Sequence, residues 1–413
     1  MKKRIIVIGG GFAGLQFIRN LKKGLFEITL IDRLNHHQFQ PLFYQVATSQ
    51  IEPSSISFPF RRIFRKRKDV VIRLAEVYSI DPSKNMITTS AGSFSYDYLV
   101  IATGCQTNFY GNETVMENAL GLKTTYEAIK IRNVILQNFE DILNSDGKGE
   151  NGLYNIVIVG GGPTGVELSG AFAEIKRDIL PGDYPGIDIS RLRIILLEGG
   201  PHTLGTMSDM AKRASEKYLK DLGVVLKTGV FVQHYDGQRL ALSNGEVLES
   251  RNVIWAAGVT GNILKGLSPK VITKTNRIRV DRINKVMGYE NLYAIGDIAY
   301  METPRYPAGH PQVANVAINQ GRNLARTFHT FLNGGKANEY EYRDLGSMAT
   351  IGRNKAVVDL PFLRFKGYFA WYVWMFLHLM LILSVRNKLI IFINWAWNYI
   401  TRNSSLRLIL KEH

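Results

Sequence analysis

The chain of 413 residues is long enough for two or three domains with full hydrophobic cores, and a 46% hydrophobic share without a long polar tract excludes a disordered protein. Its single cysteine, Cys105, excludes an internal disulfide, a cysteine-pair redox centre and a cysteine zinc cluster. The balance of 51 basic against 35 acidic residues, a net charge of +16, calls for a polyanionic partner, either nucleic acid or an anionic membrane surface.

The N-terminal MKKRIIVIGGGFAGL starts basic and ends in small residues, as a secretory signal does, but its apolar stretch is too short and too broken by glycine. It reads instead as a buried strand, IIVI, running into a glycine turn, and the chain is expected to stay where it is made. Gly9, Gly11 and Gly14 form GxGxxG between this strand and the helical AGLQFIRNLKK. The first glycine permits the tight turn, the second lets backbone approach a pyrophosphate, and the third lets helix and strand pack closely. The next strand, EITLID, ends in Asp32, a carboxylate suited to accept ribose hydroxyl hydrogen bonds. FRRIFRKRK then places six cations between Arg61 and Lys68, interleaved with Phe60, Ile63 and Phe64. Nothing else in the chain suggests a nucleic-acid module, so a solvated helix face or contact with lipid phosphates is expected there. YDYLVIATG supplies a further strand that closes in Ala102, Thr103 and Gly104.

The same features then recur in the same order. NIVIVGGGPTGVEL places Gly160, Gly162 and Gly165 after a strand, RIILLE ends in Glu198, and NVIWAAGV closes in Ala256, Ala257 and Gly258. An offset of about 150 residues relates both the glycine turns and the closing strands, as a duplicated dinucleotide-binding unit requires. NLYAIGDIA (291–299) reads as a buried strand ending in Gly296-Asp297. After Pro311, an apolar-periodic run carries Asn315 and Asn319 four residues apart, on one helix face, although Asn is a mediocre helix former.

The tail holds four of the five tryptophans, Trp371, Trp374, Trp395 and Trp397. Its apolar stretch 368–383 is interrupted only by His378 and falls short of the ~20 residues that a membrane span needs. Arg386 and Lys388 follow, then LIIFINWAW. Tryptophans with cationic flanks on short helices predict a hairpin lying in a membrane surface, against the alternatives of a buried core or a dimer interface. The eight histidines show no metal-binding spacing, and no metal is expected.

Together these residues resemble the two-dinucleotide-binding-domain flavoproteins, in which a first unit holds FAD and an inserted second unit holds NAD(P)H. ATG and the later GD are hallmarks of that superfamily. The resemblance implies an α/β fold with two Rossmann-like domains and a C-terminal membrane-associated helical hairpin. It divides the chain into 1–112 and 269–345 for FAD, 113–268 for NADH and 346–413 for membrane anchoring. It places Gly9, Gly10, Gly11, Gly14, Asp32, Thr103, Gly104, Gly296 and Asp297 at FAD, and Gly160, Gly162, Gly165, Glu198, Ala257 and Gly258 at NADH. A carboxylate at Glu198 repels a 2′-phosphate and bonds a free 2′-hydroxyl, which favours NADH over NADPH.

Disulfide reductases and sulfide-oxidising quinone reductases of this superfamily need paired cysteines, which Cys105 cannot supply. The chain is most similar to the type II NADH:quinone oxidoreductases, single-subunit NADH dehydrogenases that do not pump protons. FQPLFYQVAT (39–48) is similar to that family's flavin-flanking segment, which puts Gln45 and Thr48 at FAD. At 314–319 the family usually shows A-Q-x-A-x-Q, whose backbone meets the flavin and whose glutamines border the quinone. The match here is Ala314, Asn315, Val316, Ala317, Ile318 and Asn319, followed by Gln320. Ala317 thus falls at FAD, and Asn315, Asn319 and Gln320 at the quinone, each asparagine one methylene shorter than the usual glutamine. Glu167 stands where nicotinamide and quinone regions approach the flavin; its other reading is a first-turn acid stabilised by the helix dipole. The implied partners are a membrane quinone and the lipid surface through 368–413, with no nucleic acid and with a homodimer left open. The implied location is the cytoplasmic face of a bacterial plasma membrane, held peripherally. A reductase of an iron–sulfur or other protein acceptor, and a non-catalytic NADH-sensing flavoprotein, remain as alternatives.

Overall fold

The computed structural model describes residues 2–145, 151–337, 339–402 and 406–410. The chain forms two compact units, one of Met1–Gln38, Phe58–Gln106 and Val259–Asp344, the other of Phe39–Ser57, Thr107–Gly258 and Leu345–His413. The tail expected at 346–413 therefore shares its unit with the second glycine fingerprint, as does the flavin-flanking segment 39–57.

In the first unit, five parallel strands run in the order Leu292–Ala294, Tyr98–Ile101, Arg4–Ile8, Glu27–Asp32, Val70–Leu74. Ile5, Val7, Leu30, Val100 and Ile101 have no exposed surface, as strands of a parallel sheet covered on both faces require. Helix Phe12–Asn20 follows the first glycine turn and buries Ala13, Leu15, Phe17 and Ile18. It packs against helix Ala314–Leu332 so closely that a Cβ on Gly321 would strike the backbone at Ala13 and Phe17. Gly334, in the left-handed region with φ +69°, ends that second helix.

The second unit repeats the sheet. Its parallel strands run Leu120–Gly121, Asn252–Trp255, Asn155–Val159, Arg193–Glu198, Val225–Thr228. In both units the fingerprint strand is central, the strand ending in the acid lies on one side, and the later closing strand on the other. Helix Pro163–Glu174 continues into a π-turn over Ile175–Ile179. An antiparallel sheet, Ser347–Thr350, Ala356–Asp359 and Arg364–Gly367, leads into helices Tyr368–Leu381 and Val385–Thr401.

The two tail helices turn Ala370, Trp374, Ile391 and Trp395 inward and leave Phe369, Phe376, Ile393, Trp397 and Ile400 exposed. Asn387 Nδ2 donates to Ser55 O at 2.8 Å and Asn398 Nδ2 to Gln50 O at 2.9 Å, fastening the second helix to the 39–57 segment. Among the described residues no helix is long and apolar enough to cross a membrane.

The basic run 61–68 divides in two. Arg61, Arg62, Arg65, Lys66 and Lys68 are exposed, whereas Arg67 is buried, pairs with Asp69 at 2.7 Å and donates to Ile18 O and Leu21 O. That guanidinium pulls the Asp69 carboxyl down to about 2. Phe60 packs its ring where a Cβ on Gly10 would lie, so the start of the run supports the first glycine turn.

Candidate active site

Each glycine fingerprint forms a cradle whose shape follows from the missing side chains. In the first unit Gly9 sits at φ +100°, and a Cβ on Gly14 would collide with Gly9 O. Nothing lies within 4 Å of the Cβ position of Gly11, which begins the helix without any side-chain cap. Its first N–H groups therefore remain available to an anion. Asp32 accepts from Gly10 N at 2.7 Å and from Leu34 N at 2.8 Å, which anchors the carboxylate at the strand end. Burial pushes that carboxyl up, against the pull of the two N–H donors. Among the described residues Thr103 Oγ1 is buried without a hydrogen-bond partner, and Gly104 beside it, at φ +67°, has open space around its Cβ position. An uncapped helix start, an open glycine and an orphaned hydroxyl fit a dinucleotide pyrophosphate.

The Gly296-Asp297 turn belongs to the same unit. Gly296, at φ +77°, presses against Ala13 and Ala317, and its N–H donates to Gln320 Oε1 at 2.8 Å. Gln320 is fully buried, with Nε2 3.5 Å from His310 Nδ1. Its amide thus braces the turn from behind. Asp297 Oδ2 accepts from Cys105 Sγ at 3.0 Å. Asn315 and Asn319 are half-buried, and neither amide has a hydrogen-bond partner among the described residues. Their helix starts after Val313 with no side-chain cap, so its N-terminal N–H groups are also available.

The second unit reproduces this hydrogen bonding. Gly160 sits at φ +109°, a Cβ on Gly165 would strike Gly160 O, and Gly162 opens the helix uncapped with nothing near its Cβ position. Glu198 accepts from Gly161 N at 2.5 Å and from Gly200 N at 2.6 Å, the same two relative positions that Asp32 uses. At the closing strand, Tyr110 OH donates to Ala257 O at 2.8 Å and crowds the Cβ position of Gly258. Tyr110 carries no motif, and sequence reading passed over it.

Glu167 is on the second fingerprint helix and lines a cavity in the second unit. The helix start, strand Ser347–Thr350 and helix Tyr368–Leu381 bring Thr350 and Trp374 to it. Thr350 N donates to Glu167 Oε1 at 3.4 Å. Burial pushes the carboxyl up to about 8, with the Thr350 N–H and the Trp374 indole pulling the other way. Among the described residues Trp374 Nε1 is buried and makes no well-formed hydrogen bond, so its pull on Glu167 is that of a nearby N–H dipole. Across the cavity Trp395 Nε1 donates to Gln45 Oε1 at 2.8 Å, Gln45 Nε2 donates to Tyr44 OH at 3.0 Å, and Tyr44 OH lies 3.2 Å from Thr350 Oγ1. Thr48 Oγ1 donates to Tyr44 O at 2.8 Å and so stabilises the short helix that holds Gln45. The notable residues absent from the sequence reading are Tyr44, Thr350, Trp374 as a polar group, and Glu174. Among the described residues no group of three or more His, Cys, Asp or Glu side chains is placed to hold a metal.

Two linked cradles with an acid-bearing cavity define a pyridine-nucleotide flavoprotein, and comparison with known proteins narrows the class. Residues 3–321 match the pyridine nucleotide-disulphide oxidoreductase family, and residues 345–403 match the NDH2 C-terminal domain. The type II NADH:quinone oxidoreductase Ndh of Mycobacterium tuberculosis is 32% identical over 98% of this chain and 90% of its own. The type II NADH:quinone oxidoreductase of Staphylococcus aureus is 28% identical over 86% of this chain and 89% of its own. Among solved structures, NDH2 from Plasmodium falciparum in complex with NADH shares the fold with a TM-score of 0.90, at 21% identity over 100% of both chains. The chain belongs to the type II NADH:quinone oxidoreductases, FAD-dependent enzymes that oxidise NADH.

Proposed function

We propose that the first unit holds FAD on Gly9, Gly10, Gly11, Gly14, Asp32, Thr103, Gly104, Gly296, Asp297 and Ala317, and that the second holds NADH on Gly160, Gly162, Gly165, Glu198, Ala257 and Gly258. Bound FAD supplies the two-electron relay between NADH and quinone. Glu198 selects NADH, because its carboxylate accepts from a 2′-hydroxyl and repels a 2′-phosphate. Gln45 and Thr48 shape the flavin-flanking segment. Asn315 and Asn319 donate to the quinone from their free amides, while Gln320 positions the Gly296-Asp297 turn.

The observation that carries this reading is Glu167. Quinol formation needs protons as well as electrons, and a carboxyl held neutral at pH 7 is a proton donor where an ordinary carboxylate is not. Its cavity has aromatic walls from Trp371, Trp374, Trp395 and Tyr399, as ligand sites commonly have. The exposed apolar faces of the tail helices support docking to a lipid surface, from which a hydrophobic quinone is drawn. We place the enzyme on the cytoplasmic face of a bacterial plasma membrane, where NADH is supplied.

The test separates the half-reactions. Glu167→Gln should slow quinone reduction by about a hundredfold or more while flavin reduction by NADH stays within a few fold. Equal loss in both half-reactions would contradict the assignment.

A further inference from the structure

We propose that Glu174 relays the proton drawn from water to Glu167. The proposal rests on Glu167 as the acid of quinone reduction. NADH brings two electrons and one proton as hydride, and quinol formation takes two electrons and two protons. The overall reaction, NADH + H⁺ + quinone → NAD⁺ + quinol, therefore draws one proton from water per turnover. A buried acid that donates must be reprotonated each time.

The immediate surroundings of Glu167 cannot do this. Thr350 contributes a backbone N–H, Trp374 an indole N–H, and burial pushes the Tyr44 hydroxyl up so that it keeps its proton. Two helical turns further along the same helix, Glu174 lines the same cavity. Seven residues correspond to about 10 Å of helix rise, a gap for a short chain of waters. About 100 Å³ of the cavity is open to the centre of a water molecule, enough for several waters at roughly 10–15 Å³ each.

The far end of the cavity explains why Glu174 is the relay. The π-turn at Ile175–Ile179 adds a residue to the turn and brings Asp178 onto the cavity wall beside Glu174. Arg177 holds Asp178 at 2.7 Å and keeps it ionised, so Asp178 cannot pass a proton on. Glu174 is pushed up by burial, against the Arg353 N–H and the charges of Arg353 and Arg177. Of the pair, Glu174 is the carboxyl that burial favours in the protonated form, although Arg177 also lies 4.0 Å from its Oε1. Among the described residues, Arg353, Tyr399, the exposed Arg402 and Tyr44 are the other ionisable groups that line the cavity.

Glu174 also has a structural duty, since its Oε1 accepts from Arg353 N. Glu174→Gln keeps that acceptor and removes the titratable carboxyl, so the variant should fold. With the FAD-loaded protein, Glu174→Gln should slow quinone reduction about tenfold or more, raise its solvent deuterium isotope effect and leave flavin reduction by NADH unchanged. Glu174→Asp, or a small weak acid such as imidazolium added to Glu174→Gln, should restore much of the rate. A readout independent of turnover is the infrared C=O band of the Glu167 carboxyl, whose hydrogen–deuterium exchange in the resting enzyme should slow in Glu174→Gln. Unchanged exchange together with an unchanged isotope effect would overturn the relay. If Glu167→Gln itself left quinone reduction intact, the underlying reading of Glu167 would fail instead, and the two failures are distinct.

Discussion

Glu167 couples stability to pH in a direction opposite to most carboxylates. Its folded pKa, about 8, lies above the unfolded value near 4.5. The neutral buried form contributes stability that is fully present below the unfolded value and is lost as pH rises through about 8. Melting curves from pH 6 to pH 9 should therefore fall more steeply for the native chain than for Glu167→Gln; parallel curves would show that the carboxyl titrates normally. Glu198→Ala should weaken NADH binding and relax discrimination against NADPH. Because Glu198 also accepts from Gly161 and Gly200, Glu198→Gln is the sharper probe: it keeps an acceptor for the turn and removes the charge that repels a 2′-phosphate. Asn315→Ala should impair quinone reduction more than flavin reduction, whereas equal impairment would mark a structural amide. At this scale the glycines and the two acids were legible, because a tight turn and a strand-end carboxylate are local requirements that sequence spacing records. Glu167's environment was not legible. Thr350 and Trp374 reach it from about two hundred residues away, and no local pattern encodes that meeting.

Elements were more legible than individual contacts. A strand, a glycine turn, a helix and a strand ending in an acid leave the same trace twice, and the two five-stranded sheets repeat one order of strands. The tail was legible as two short apolar helices, since its hydrophobic stretch stops before a span's length. The π-turn at Ile175–Ile179 was not legible, because its own residues are ordinary helix formers and Pro181-Gly182 only follow it. Nor was the division of the basic run, where Arg67 turns inward to Asp69 while its neighbours stay in water. Two outcomes follow for membrane docking. Replacing the outward Phe376, Ile393 and Trp397 with glutamate spares the inward Trp374 and Trp395, so it should lower co-sedimentation with liposomes without unfolding the chain; undiminished co-sedimentation would assign those faces another occupant. Neutralising Arg61, Arg62, Arg65, Lys66 and Lys68, but not Arg67, should reduce binding to anionic vesicles most at low salt. No change at low salt would leave that run as a solvated surface.

At the scale of the whole molecule, a net charge of +16 favours association with an anionic surface, and the family's reaction joins a water-soluble donor to an acceptor dissolved in lipid. Two dinucleotide cradles and one acid-bearing cavity are the parts that such a reaction needs. The most direct measurement is anaerobic: purified FAD-loaded protein is mixed with NADH while its flavin absorbance is followed, and a short-chain quinone is then added. Rapid bleaching by NADH followed by quinone-dependent recovery is the predicted result. Bleaching that quinone cannot reverse, or no bleaching at all, would contradict it.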